Sequence, residues 1–167
     1  MAHTHTESPN IVVSESVRIN RPATDVFTYV STYENDPSWR SAVTSMTQDT
    51  PGQPLPETTT IEVLSFMGNE TITVAKVVEY EAGRRVAFQS TEGPVEASGY
   101  RLVEPDGNGC TLTYHLQLLI SGLPQPVLSE IAAEIGNMVH EDLQQLKTML
   151  ETVPAEHADL VGTLARG

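Results

Sequence analysis

From Ile11 to Ile19, hydrophobic and polar positions alternate: Ile11, Val13, Val17 and Ile19 share one face with Glu15 among them, and Ser14, Ser16 and Arg18 share the other. That period of two predicts a half-buried strand. Asn20-Arg21-Pro22 stops it. Val26, Phe27 and Val30 then recur at helical spacing over Ala23 to Thr32, with Asp25 in the first turn, where the helix dipole favours an anion. A further short helix is expected near Asp36-Pro37, since proline is tolerated at a first helical position. A polar strand over 42–48 ends in Thr50-Pro51-Gly52-Gln53-Pro54-Leu55-Pro56, a composition that only a loop accommodates. Strand patterns follow over 58–66, 70–80, 84–90 and 95–103. Asp106-Gly107-Asn108-Gly109 is a hairpin signal that joins the last of these to a strand over 110–120. Finally Val127, Leu128, Ile131, Ile135, Met138, Val139, Leu143, Leu146 and Leu150 recur at three and four, which predicts one long amphipathic helix ended by Pro154.

Strand, two short helices, six strands and a long helix call for an α+β fold with the helices on one face of an antiparallel sheet. A seven-stranded sheet curls. Closed around one helix, it leaves a concave space that the helix cannot fill along its whole length, and such a gap is the default ligand site.

Composition supports the β-rich reading, because 19 Thr and 17 Val carry the branched β-carbons that fit pleated strands. At 167 residues the chain is expected to form one domain over 11–153, with a disordered or frayed N-terminus over 1–10 and a frayed tail over 154–167. The formal net charge of −13 argues against nucleic acid, whose recognition rests on phosphate neutralisation, and against an anionic membrane surface. Cys110 is the only cysteine, so there is no internal disulfide framework. No stretch approaches the ~18 consecutive apolar residues of a spanning helix, and the start lacks a signal-peptide pattern. The expectation is a cytoplasmic protein without membrane insertion.

Five segments carry a resemblance. They are Val17-Arg18-Ile19-Asn20-Arg21-Pro22-Ala23-Thr24-Asp25-Val26-Phe27, Glu34-Asn35-Asp36-Pro37-Ser38-Trp39, Val78-Glu79-Tyr80 with Arg84-Arg85-Val86-Ala87-Phe88, Glu104 to Tyr114, and Glu141-Asp142-Leu143-Gln144-Gln145-Leu146-Lys147. Over roughly 11–152 the chain resembles the START-like, Bet v 1-like (SRPBCC) superfamily, in its bacterial polyketide cyclase/dehydrase-type branch. The resemblance implies the helix-grip fold, a curved sheet wrapped around a long C-terminal helix. It also implies that Trp39 packs beneath that helix at the cavity edge; a purely core role is the alternative. Function is less determined, because one fold hosts many activities.

The expected cavity wall comprises Trp39, Phe66, Ile72, Val74, Lys76, Phe88, Ser98, Tyr100, Tyr114, Leu116, Ile131, Ile135 and Met138. Alternation puts Leu112, Tyr114, Leu116 and Leu118 inside on the last strand and Ser98, Tyr100 and Leu102 inside on the one before. Buried phenols need partners, supplied by a ligand or by backbone carbonyls. Two registers are open for Lys76. The even face of 70–80 takes it inward beside Ile72 and Val74, where it would orient an acidic ligand group; a bulge near Val77-Val78 turns it out. Glu15 is either a buried acid or a strand-end residue. His115 faces solvent and His140 flanks the helix core stripe, while His3, His5 and His157 lie near no site. Nothing couples Ser90 or Ser98 to a histidine and an acid, so no triad is supported. His140-Glu141 has Gln144 where a helical zinc motif needs its second histidine. Neither metal nor cofactor is expected.

Three functions follow. The first is binding of a small hydrophobic molecule, lipid-like or aromatic and polyketide-like, by a monomer or homodimer. The second is a polyketide cyclase/dehydratase-type enzyme. Enzymes of that kind place an arginine and hydroxyls in the cavity, whereas Arg84, Arg85 and Arg101 here fall near strand ends or on the polar register, leaving Lys76. The third is an accessory protein that docks on a partner without any ligand.

Overall fold

The computed structural model describes residues 8–152. The expectations for residues 1–7 and 153–167 lie outside the described residues. Of the start predicted to fray, Asn10 is tied down: its backbone N–H donates to Leu118 O at 3.0 Å and its side chain brackets the Ile120 peptide.

Seven strands form one antiparallel sheet: β1 (Ile11–Ile19), β2 (Val43–Gln48), β3 (Thr59–Phe66), β4 (Asn69–Glu81), β5 (Arg85–Glu92), β6 (Glu96–Asp106) and β7 (Gly109–Leu119). Their order is β1-β7-β6-β5-β4-β3-β2. Every neighbouring pair except β1 with β7 is sequential: turns of two or three residues join the strands from β3 to β7, and a longer loop over 49–58 joins β2 to β3. Chain-neighbours β1 and β2 therefore occupy opposite edges, and the chain crosses between them through α1 (Ala23–Ser31), a 3₁₀ turn (Tyr33–Asn35) and α2 (Asp36–Trp39). The long helix α3 (Gln125–Glu151) lies against the same face. This is the helix-grip fold, and the order of its elements agrees with the periodicities read from the sequence.

Three local features set which side chains face inward. At the β6–β7 hairpin Asp106 pairs with Gly109, and Gly107 has φ +63°, a conformation glycine adopts without steric penalty. Deeper in the same pair, a Cβ on Gly99 would lie 2.3 Å from His115 O, so only glycine lets these backbones approach. In β4 the register against β5 shifts between Val77 and Glu79, leaving Val78 as the extra residue of a bulge. Val77 is then fully buried while Val78 is 54% exposed.

Packing is uneven along α3. Its second half buries Val139, Leu143, Leu146 and Leu150 among Ile19, Phe27, Val103 and Leu112. Full burial of one such side chain is worth ~1.5–3 kcal/mol before entropy is counted. In the first half Ile131 and Met138 are only half-buried. The core is thus solid toward the C-terminus of α3 and unfilled toward its N-terminus.

Candidate functional site

The unfilled region is a cavity of about 320 Å³ between the concave face of the sheet and α3. Phe66 and Leu64 of β3, Thr71, Thr73 and Ala75 of β4, and Phe88 of β5 form one wall. Leu116 and Leu118 of β7 form the other, and Ile131, Ile135 and Met138 of α3 form the roof. Strand register separates its two ends. One is ringed by the β3–β4 turn with Met67 and Asn69, by Pro94 and Val95 between β5 and β6, and by Ile120. Met67, Asn69 and Pro94 are exposed, so this end meets solvent.

The other end is polar. Tyr33, Arg40, Thr60, Glu62, Arg101 and Tyr114 converge there. Arg101 is 3% exposed and reaches across from β6 to the buried Asp36. Its Nη1 donates to Asp36 Oδ1 at 2.8 Å and to Val30 O at 2.8 Å, and its Nη2 donates to Asp36 Oδ2 at 2.6 Å. Such a bidentate fork fixes both partners. Arg40 Nη1 adds bonds to Asp36 Oδ2 at 2.9 Å and to Glu62 Oε2 at 2.7 Å. Burial works against the charge of each guanidinium, but the facing carboxylates and Tyr114 outweigh it and hold both protonated. The aromatic rings of Tyr33, Trp39 and Tyr114 lie 4.6, 5.3 and 5.4 Å from Arg101 Cζ.

Three hydroxyls at this end, those of Tyr33, Thr60 and Tyr114, make no hydrogen bond among the described residues. Tyr33 Oη is buried with no hydrogen-bond partner among the described residues. Burial above all pushes the Tyr33 phenol well above the ordinary phenol range, so it stays neutral. Tyr114 lies beside both guanidiniums, and its hydroxyl makes no hydrogen bond among the described residues. Behind the site, Asp142 of α3 accepts the Ser41 N–H at 3.1 Å and so fastens the α2–β2 junction to the long helix. Burial pushes the Asp142 carboxyl up, against the downward pull of the Ser41 bonds and of Arg40.

Of the predicted wall, Phe66, Phe88, Tyr114, Leu116, Ile131, Ile135 and Met138 border the cavity. Trp39 does not. It is buried behind Tyr114, edge-on at 6.1 Å between centroids, and its indole N–H has no partner among the described residues. Ile72, Val74 and Lys76 are corrected to the convex side, because the Val78 bulge puts the odd positions Thr71, Thr73 and Ala75 inside. Ile72 is 57% exposed and Lys76 pairs with Glu57 at 3.0 Å. Ser98, Tyr100 and Leu102 are likewise corrected outward. Tyr100 stacks on His115 at 4.7 Å on the convex face, with Arg85 Cζ 3.9 Å from its ring.

The remaining candidates separate from the cavity. Glu15 faces α3 at the sheet edge, 3.4 Å from His140 Nδ1. Ser90 Oγ accepts the Ala97 N–H. Cys110 is buried, and its thiol is pushed up to about 11 chiefly by that burial. Among the described residues, no group of three or more His, Cys, Asp or Glu is placed to hold a metal, and no helix is long and apolar enough to cross a membrane.

Arg101, which the sequence reading places near a strand end or on the polar register, is the centre of the inner end. Sequence reasoning misses Arg40, Glu62, Asp36 and Tyr33 along with it. A signal exists: Asp106 opposite Gly109 puts Arg101 opposite Tyr114, so an inward Tyr114 requires an inward Arg101.

Comparison with known proteins agrees with this geometry. A START superfamily protein from Mycobacterium smegmatis superposes with a TM-score of 0.71 at 16% identity, covering 86% of this chain and 99% of that one. A protein from Thermus thermophilus superposes at 0.69 with 19% identity, covering 82% and 94%. The major latex-like protein 151 of Panax ginseng superposes at 0.63 with 12% identity, covering 86% and 97%. These likenesses show a shared fold. No curated protein matches the sequence. The family model described as polyketide cyclase / dehydrase and lipid transport matches residues 10–151, and the chain belongs to that family.

Proposed function

We propose that the protein binds a small hydrophobic molecule, lipid-like or aromatic, in the cavity between the sheet and α3. One observation carries the reading: a space of about 320 Å³ whose walls are largely aliphatic and aromatic and whose inner end gathers a few fixed polar groups. That combination characterises small-molecule sites, and the volume stands at the lower end of their usual ~300–1,000 Å³. The family's described roles in cyclisation, dehydration and lipid transport all involve ligands of this class.

A second reading, a ring-closing or dehydrating enzyme, gains from the inward Arg101 and the phenols of Tyr33 and Tyr114. General acid–base work needs a group that exchanges a proton near the working pH. Both guanidiniums are held charged, Tyr33 is held neutral, and Glu62 is bonded to Arg40. These groups suit holding and orienting a ligand better than moving its protons.

The test is uptake of the neutral fluorophore N-phenyl-1-naphthylamine, together with native mass spectrometry of freshly purified protein. Saturable uptake near one equivalent, or a hydrophobic molecule that co-purifies, supports binding. If the fluorophore stays in water and the protein is bare, the binding and enzymatic readings both fall and partner docking takes their place.

A further inference from the structure

We propose that the inner end of the cavity selects an uncharged oxygen, a carbonyl, ether or hydroxyl, and rejects a carboxylate or phosphate. This inference rests on the binding reading above and specifies the ligand's buried end. Two positive groups, Arg40 and Arg101, face two negative ones, Asp36 and Glu62, in contact with one another. Both Asp36 oxygens are occupied, Oδ1 by Arg101 and Oδ2 by Arg101 and Arg40. The cluster is therefore neutral as it stands. An anionic ligand would bring a third negative charge into a desolvated space with no unmatched cation to receive it, and such burial is strongly unfavourable.

A plain hydrocarbon is disfavoured for the opposite reason. The Tyr114 hydroxyl bonds no described residue and, unlike the sealed hydroxyl of Tyr33 beside it, opens to the cavity. A hydrocarbon that displaces water from that donor leaves it without an acceptor and at the cost of its desolvation. A neutral oxygen supplies that acceptor and adds no charge. The ligand would then lie with its oxygen inward and its hydrocarbon part between Leu116, Leu118 and Ile131 toward the exposed end.

Three ligands of matched shape test this: 6-phenylhexan-2-one, hexylbenzene and 5-phenylpentanoate, each displacing N-phenyl-1-naphthylamine at about pH 8, where the acid is ionised. The ketone is expected to displace the fluorophore at about one tenth the concentration of the other two. The double substitution Tyr33→Phe with Tyr114→Phe is expected to weaken the ketone about fivefold and leave hexylbenzene unchanged. The double variant should melt no lower than the parent, because neither oxygen it removes bonds a described residue, so lost affinity is not lost folding. A carboxylate that competes as well as the ketone, or a ketone preference that survives in the double variant, overturns the inference while binding stands. A fluorophore that never enters overturns the binding reading and this one together.

Discussion

Tyr100 and Arg101 are neighbours on β6, and each belongs to a cluster of arginine, carboxylate and aromatic rings, yet the clusters lie on opposite faces of the sheet. On the concave face Arg101 is 3% exposed, forks onto the fully buried Asp36, and packs near three aromatic rings. On the convex face Arg85 covers the Tyr100 ring, pairs with Glu79 at 3.1 Å, and keeps 26% of its side chain exposed. The residue types are nearly the same, but the dielectric surroundings differ. Water screens the outer pair, so it contributes little. Its exclusion inside makes Asp36 indispensable to Arg101, whose buried guanidinium alone would be an uncompensated charge, whereas Asp36 without Arg101 would keep only Arg40.

Asp36→Ala is the largest expected break. It leaves two guanidiniums at the inner end with Glu62 as the one carboxylate still bonded to either among the described residues, and removing one partner of a buried pair costs ~3–5 kcal/mol. For a chain of this size that corresponds to a melting temperature lower by roughly 10 °C. Thermal unfolding followed by circular dichroism checks it. Adding Arg101→Met to Asp36→Ala should recover part of the loss, since the second change removes the orphaned charge. If Asp36→Ala unfolds within a degree or two of the parent, the two faces do not differ in the way argued.

Much of this contrast is legible in the sequence, and one inconsistency hides the rest. Element order, the long helix and the inward side of β7 follow from periodicity, because Leu112, Tyr114 and Leu116 alternate without interruption. β6 is ambiguous taken alone: Ser98, Tyr100 and Leu102 alternate against Gly99, Arg101 and Val103, and hydropathy favours the set containing a leucine and a tyrosine over the set containing arginine and glycine. The hairpin removes the ambiguity, for its turn pairs Arg101 with Tyr114. In β4 the adjacent Val77 and Val78 signal a bulge but not which side it turns Lys76 to. The burial of Asp36 is the least legible feature. Its carboxylate looks like a helix-start residue in the sequence, and beyond its local partner Arg40 it takes its second counter-ion from Arg101 of β6, a long-range partner that local pattern does not announce.

Asp142 tests the concave side with a smaller effect and a pH signature. Its pKa lies above the ordinary aspartate range, burial being the main cause. A carboxyl raised in the folded state destabilises the fold once ionised, so the penalty is present above the raised folded value and is relieved as pH falls through it. Asp142→Asn retains an oxygen for the Ser41 N–H and removes the charge. The variant should therefore melt ~2–4 °C above the parent at neutral pH, and the gap should close on acidification. A gap that is absent at neutral pH, or that widens in acid, contradicts the burial assigned to this carboxylate.

Arg85→Ala should do least, and that makes it the sharpest control on the comparison. The substitution deletes a guanidinium as close to a ring as any among the described residues, at 3.9 Å, along with its ion pair to Glu79. If short contacts set the energetics, it would rival the loss of Asp36. If solvent access sets them, the parent and variant should differ by at most ~0.5 kcal/mol in urea unfolding, because exposed pairs seldom contribute more. Uptake of N-phenyl-1-naphthylamine should also be unchanged, since Arg85 stands behind the sheet from the cavity. A loss of stability comparable to that of Asp36→Ala would mean that the convex cluster organises the β5–β6 pair, and that the two faces of β6 carry equal weight.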